Sequence, residues 1–265
     1  MNRFGDRLSR TGPRGPPGRD SIRLDVWCKP ALLQMLTDSA TASFYFDTMV
    51  DGILVEKGKI IGIKDRSSSK KHNAVSLKKN GSIVPSHNTF SLVMGSDECY
   101  HMLNVRSAVR PRTVVVVAIS FKLTKSLPDK FPYYLFSNEN SSRAVTLRQT
   151  WMDIAGCVEG SPEIIVNPLA WNRFLIQYSS VNGSSDKCFY ILNGKRGTFR
   201  PIVYENDATQ LYIGHPTKNS APMMINYFQV HSIHLDSGSD YVLPDSFSRS
   251  LLHYMQSRVL SSDES

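Results

Sequence analysis

Trp171-Asn-Arg-Phe-Leu-Ile-Gln-Tyr178, Asn182-Gly-Ser-Ser-Asp186, Cys188-Phe-Tyr-Ile-Leu-Asn-Gly-Lys195 and Thr209-Gln-Leu-Tyr-Ile-Gly214 together decide the fold of this 265-residue chain. The first and third segments are apolar runs of strand length, and the second is a polar turn between them. Asn193-Gly194 closes the second strand. Both residue types accept the left-handed backbone of a tight hairpin reversal, so the pair predicts a strand turning back on itself. A third strand, Leu211-Tyr-Ile213, stops at Gly214. Short strands joined by polar turns, with no helix between them, predict antiparallel layers rather than a parallel sheet wrapped by helices.

The same period extends outward in both directions. Upstream, strands are expected at Phe44-Tyr-Phe46, Gly52-Ile-Leu-Val55, Ile60–Ile63, Ala74–Leu77, Ser91–Met94, Thr113–Leu123, Tyr133–Ser137, Val145–Trp151 and Glu163–Val166. Lys57-Gly58-Lys59 marks a turn, and Asp65–Asn73 a polar surface loop. Thr113-Val-Val-Val-Val-Ala-Ile-Ser-Phe-Lys-Leu123 is long and rich in β-branched residues, the composition that favours a strand. Downstream, Asn226–Leu235 sets Tyr227, Gln229, His231, Ile233 and Leu235 against Phe228, Val230, Ser232 and His234. His231 and His234 thus fall on opposite faces and cannot share one metal ion.

The flanks differ. Gly12-Pro-Arg, Gly15-Pro-Pro and Gly18-Arg-Asp are consecutive Gly-X-Y triplets, the repeat that lets three polyproline chains meet at a glycine-only axis. Pro30 opens a short helix over Ala31–Thr37, since proline at a first helical turn wastes no N–H. Asp245 or Ser246 caps a closing helix whose Phe247, Leu251, Tyr254 and Met255 share a face. The domains read as a collagen-like tail over 1–21, a neck over 22–42, a sandwich over 43–244, and a helix with a frayed tail over 245–265.

Bulk properties narrow the function classes. With 41% hydrophobic and 20% charged residues, the chain can build one sizeable core. No apolar run approaches the length of a membrane-spanning helix. The first residues, Met1-Asn-Arg-Phe-Gly-Asp-Arg7, lack a signal-peptide core. A secreted location then requires this chain to be part of a longer one. The net charge of +8 is unevenly spread. Lys64, Arg66, Lys70, Lys71, Lys78 and Lys79 crowd one region, and Arg106, Arg110 and Arg112 another, while the chain beyond residue 200 is acidic. Such polarity can attract a polyanion. Nucleic acid is not expected, because no aromatic residue interleaves with the lysines as a stacking platform. Cys28, Cys99, Cys157 and Cys188 fit no zinc spacing; they allow two disulfides in three pairings, with Cys157–Cys188 the first candidate because both fall in one half of the sandwich.

Segments 113–123, 171–214 and 226–235 together resemble the laminin-G and concanavalin-like jelly-roll superfamily. The resemblance implies an all-β antiparallel sandwich whose members more often bind ligands than catalyse reactions. It implies loops that bind sulfated glycans, and calcium held by loop oxygens. Asp236 and Asp240, flanking Ser237-Gly-Ser239, are the residues that could converge on such an ion; no other cofactor is implied. Glycoside cleavage on this fold uses paired carboxylates in the pattern Glu-x-Asp-x-x-Glu, which is absent here. The nearest acidic pairs, Asp97-Glu98 and Glu205/Asp207, read as solvated turns. Asn80, Asn140 and Asn182 begin N-glycosylation tripeptides in expected turns.

The expectation is a non-enzymatic extracellular recognition or matrix module. It would bind glycans or matrix proteins and trimerise through its Gly-X-Y triplets, gaining avidity from three heads. The alternatives are a glycan-processing enzyme on the same fold and an intracellular or viral jelly-roll structural protein.

Overall fold

The computed structural model describes residues 42–47, 52–67, 73–86, 89–106, 113–158, 160, 162–179, 188–200, 210–234 and 253. The expected collagen-like tail, the neck helix and, His253 apart, the closing helix lie outside these residues.

Seventeen strands occur among the described residues. The first six are β1 Ala42–Asp47, β2 Ile53–Glu56, β3 Lys59–Ile63, β4 Ala74–Ser76, β5 Ser82–Ser86 and β6 Thr89–Met94. Then come β7 Tyr100–Arg106, β8 Thr113–Leu123, β9 Tyr133–Asn138, β10 Val145–Arg148 and β11 Trp151–Ile154. The last are β12 Ile164–Ile165, β13 Asn172–Ser179, β14 Phe189–Leu192, β15 Lys195–Thr198, β16 Gln210–Ile213 and β17 Met223–His234. They form two sheets. The eight-stranded sheet runs β15-β14-β13-β8-β17-β6-β5, with β1 also on β17; the nine-stranded sheet runs β12-β11-β10-β9-β16-β7-β4-β3-β2. The strand ladders are antiparallel throughout.

β8 is the spine of the first sheet, paired along its length with β13 and β17. Val115, Val117, Ile119, Phe121 and Leu123 point into the core between the sheets. Val116, Ala118 and Ser120 point the other way and are buried as well. An unbroken β-branched run, rather than an alternation, is what a strand covered on both faces requires. β17 behaves alike. Phe228 and Val230 enter the core, while Tyr227, Gln229 and His231 form a buried polar row on the opposite face. There the Tyr227 hydroxyl donates to Gln229 Oε1, and Gln229 Nε2 meets His231 Nε2. Hydrogen bonding offsets the cost of placing these polar groups out of water. Phe228 ties the sheets together, packing edge-on against Phe44 of β1 at 6.2 Å and Phe136 of β9 at 6.3 Å.

The register of β17 against β8 slips at Asn226. This bulge falls where the other edge of β17 changes partner, from β6 at Met223–Ile225 to β1 beyond it. One extra residue bends the strand so that a single edge can serve two neighbours.

Several expectations change. Val145–Trp151 is not one strand but the hairpin β10–β11, reversing at Gln149-Thr150 with a φ of 41° at Gln149. β5, β7 and β15 are strands that the sequence reading passed over. Glu98 is not solvated: it is wholly buried. Its carboxylate accepts from Ser76 Oγ at 2.8 Å, the Asn80 amide at 2.6 Å and the Cys99 amide at 3.1 Å. Three donors replace the lost water, so the charge serves as a clamp on the turn after β4. The loop expected from Asp65 begins buried too, since Asp65 accepts from the Ser67 amide and hydroxyl, each at 2.8 Å. The reversal at Asn193-Gly194 stands as expected, with φ values of 49° and 87°.

Candidate functional site

A groove among the described residues lies on the outer face of the nine-stranded sheet. In the β10–β11 hairpin, Val145, Leu147, Met152 and Ile154 are core residues. Strand alternation therefore turns Thr146, Arg148, Trp151 and Asp153 outward. Tyr134 of β9 pairs with Thr146, which pairs with Asp153; Arg148 pairs with Trp151. Two cross-strand rows thus form a floor. Together with Pro132, Ser141, Ala144 and Ala155 they line a groove of about 570 Å³. Trp151 stays 41% exposed and gives the groove an indole wall. Arg148 and Asp153 approach at 3.6 Å, both about half exposed, so their charges largely cancel at little gain in stability.

A second layer is supplied by the loop between β16 and β17. Gly214 opens it with a φ of 83°, and a Cβ there would lie 2.3 Å from Ser220 Oγ. The loop is stitched onto β9, since the Tyr134 amide donates to Asn219 O and the Ala221 amide to Tyr134 O, at 2.9 and 2.8 Å. This places His215 against Tyr134, with ring centroids 4.5 Å apart. It also brings Lys218 Nζ to 3.1 Å from the Tyr134 hydroxyl and 2.9 Å from Ser141 Oγ. Ser141 sits in the β9–β10 turn with a φ of 63°, a left-handed backbone that costs a non-glycine residue about 1–2 kcal/mol. Strain of this kind concentrates at sites where a side chain has to be aimed.

His215 and Ser141 look at first like a nucleophile and its base, since Nε2 lies 2.8 Å from Oγ. The other ring nitrogen rules that role out. Nδ1 accepts from the amides of Thr217 and Lys218, both at 3.1 Å, so it carries no proton. The proton then resides on Nε2, which donates to Ser141 and cannot take the proton a serine nucleophile must lose. Burial, and after it the Lys218 ammonium, hold the ring down to a pKa of about 4, so it stays neutral near pH 7.

The residues singled out from sequence are scattered. Lys78 and Lys79 are exposed in the turn clamped by Glu98, whereas Lys64 and Arg66 are half-buried. Arg106 ends β7. Lys70, Lys71, Arg110, Arg112, Asn182, Asp236 and Asp240 lie outside the described residues. Asn80 and Asn140 are exposed, as a glycan acceptor requires; Asn80 Nδ2 donates to Asp97 at 3.0 Å, and Asn140 Oδ1 accepts from the Ser142 amide at 3.0 Å. The expected Cys157–Cys188 bridge is not formed in this structure. Both keep their thiols, Cys188 buried and Cys157 donating to Ile154 O at 3.3 Å. Among the described residues, no three His, Cys, Asp or Glu side chains gather as a metal site. No helix among them is long and apolar enough to cross a membrane.

Tyr134, Ser141, Trp151, His215 and Lys218 were missed. Reading 145–151 as one strand puts Trp151 in phase with Val145 and Leu147, hence in the core. The reversal at Gln149 flips that phase and exposes the indole.

No protein-family model and no curated protein matches the chain. Solved structures do. Trypanosoma rangeli sialidase in complex with 2,3-difluorosialic acid superposes with a TM-score of 0.58 at 10% identity, over 90% of this chain and 40% of that one. A mutant of the same enzyme displaying trans-sialidase activity gives 0.57 at 12% identity, over 89% and 39%. The binding domain of a botulinum neurotoxin serotype D/C gives 0.50 at 11% identity, over 83% and 52%. The fold is an all-β sandwich of two antiparallel sheets. The chain spans about two fifths of the length of the sialidases it resembles. At such identities the likeness is one of fold.

Proposed function

We propose that this chain is a non-catalytic glycan-recognition module and that the groove on β9, β10 and β11 is its binding site. The observation that carries the reading is Trp151. A large indole left half in water beside a groove edged with hydroxyls suits a sugar, whose ring offers an apolar C–H face and a hydroxyl rim. The sandwich likeness agrees in kind: one of the structural neighbours, a botulinum neurotoxin type C, comes from work on its interaction with two ganglioside molecules. The hydrogen bonding of His215 supports binding over hydrolysis at this place. Exposure of the Asn80 and Asn140 tripeptides supports display outside the cell, and the Gly-X-Y triplets would add avidity by trimerisation. The laminin-G-like assignment belongs to the same reading.

The test is an immobilised glycan panel probed with the full chain and with Trp151→Ala. Wild type should retain a subset of glycans, and the variant should lose them while melting at the same temperature. Retention of the same glycans by both proteins would remove the groove from the argument. No retention by either would remove the reading.

A further inference from the structure

Resting on that reading, we propose that the ligand is an acidic saccharide and that its carboxylate seats on Lys218, Tyr134 and Ser141 at the edge of the groove.

The argument is an inventory of donors. Lys218 Nζ carries three N–H bonds and spends two, on the Tyr134 hydroxyl and on Ser141 Oγ. Both partners are neutral. The side chain is exposed, and among the described residues no carboxylate pairs with it. Ser141 Oγ accepts twice, from Lys218 and from His215 Nε2–H. Its oxygen is thereby occupied from the protein side, and what remains to offer is its hydrogen. Tyr134 accepts from Lys218 and keeps its own O–H likewise. Ser141 and Tyr134 both line the groove. The corner therefore presents one uncompensated positive charge and three hydrogen-bond donors. A neutral sugar hydroxyl would need acceptors as well as donors, whereas a carboxylate accepts only.

The charge balance of the rest of the groove points the same way. Arg148 and Asp153 offset one another, so Lys218 sets the net sign. His215 adds no charge near pH 7, because burial disfavours its charged form and its Nδ1 accepts from two amides. The corner is also built rather than incidental. The left-handed turn at Ser141 follows β9, the glycine-dependent loop at His215 joins β16 to β17, and the two meet at Tyr134. On this arrangement the pyranose ring lies towards Trp151 and its acid group towards Lys218.

The acid could belong to a hexuronic or a nonulosonic sugar, so the probes are methyl glucuronide and methyl N-acetylneuraminide, with methyl glucoside as the uncharged control. Ligand-observed saturation-transfer NMR on the full chain, titrated to give affinities, provides the readout. Wild type should bind at least one acidic probe tenfold or more tightly than the glucoside. Lys218→Gln keeps the stem and removes the charge; it should abolish that preference. Trp151→Ala should weaken charged and neutral probes alike. Which acidic probe is preferred identifies the source of the carboxylate. Equal affinity for charged and uncharged probes, or a preference that survives Lys218→Gln, overturns the acidic ligand and leaves the glycan reading intact. Failure of all three probes, with no glycan retained on the panel, overturns both. Matching melting temperatures for the variants and wild type exclude misfolding as the cause of a loss.

Discussion

Trp151 and His215 show how single side chains define this site. Trp151 is 41% exposed and lies outside the buried core cluster, so Trp151→Ala should change stability by no more than about 0.5 kcal/mol. Its effect on glycan binding should be about tenfold, or ~1.4 kcal/mol. Titration calorimetry beside a thermal melt separates the two, and equal losses in both would show the indole to be structural. His215 links the same corner to pH. Its ring ionises near 6.5 when unfolded but is held to about 4 in the fold, first by burial and then by Lys218. Between those values the unfolded chain binds the extra proton. The contribution to stability is therefore complete above 6.5 and drains away as the pH falls towards 4. Denaturation free energies measured across that window should slope less steeply for His215→Asn than for wild type. Parallel slopes would mean that the ring titrates normally. Neither residue could be ranked from its neighbours in the chain, because the partners of His215 include Ser141, 74 positions away.

At the scale of elements, two reversals decide what the groove contains. Lys57-Gly58 and Asn193-Gly194 announce their turns, since each supplies residues suited to positive φ. Gln149-Thr150 does not, yet Gln149 adopts a φ of 41°. Register forces it: Val145, Leu147, Met152 and Ile154 must all reach the core, and only a two-residue link lets them. Gln149→Gly should relieve that conformation and raise stability by up to about 1 kcal/mol in urea denaturation. A fall would show that the Gln149 side chain does more than turn the chain. Gly214 is the reverse case. A methyl group there would meet Ser220 Oγ at 2.3 Å on a backbone already left-handed at 83°. Gly214→Ala should cost about 1–3 kcal/mol and shift the His215 loop. The diagnostic is loss of acidic-glycan binding with the sandwich still folded by circular dichroism. Unchanged binding would detach the loop from recognition.

Taken whole, the molecule is a core closed from two sides with chemistry on one outer face. Burial governs its thiols: Cys99 is pushed up to a pKa of about 12, by burial first and by Glu98 second, and Cys157 to about 11, mainly by burial. Thiolates are the reactive form, so alkylation of Cys99 at pH 8 should be slow and should track global unfolding. Peptide-resolved labelling with iodoacetamide checks this, and rapid modification in the native state would contradict a closed core. The basic turn at Lys78 and Lys79 is tied to the loop carrying Lys218 through a short relay. Glu98 holds that turn, and Ser96 O, two residues earlier, accepts from the Ser220 amide in the loop carrying Lys218. The architecture was legible because its cause is local. Strand length, β-branched composition and Asn-Gly or Lys-Gly turns act between near neighbours, so the sequence by itself determined an antiparallel sandwich, while the order that sets β17 beside β8 came from the tertiary structure. The groove was decided by tertiary structure alone. Its residues come from β9, from an unannounced hairpin and from a loop some eighty positions downstream, and each becomes significant only when antiparallel pairing sets Tyr134 beneath Lys218 and turns Trp151 to the solvent. Hydrophobic periodicity specifies which side of a strand is wet; it carries no information about which wet side chains will share a hydrogen bond.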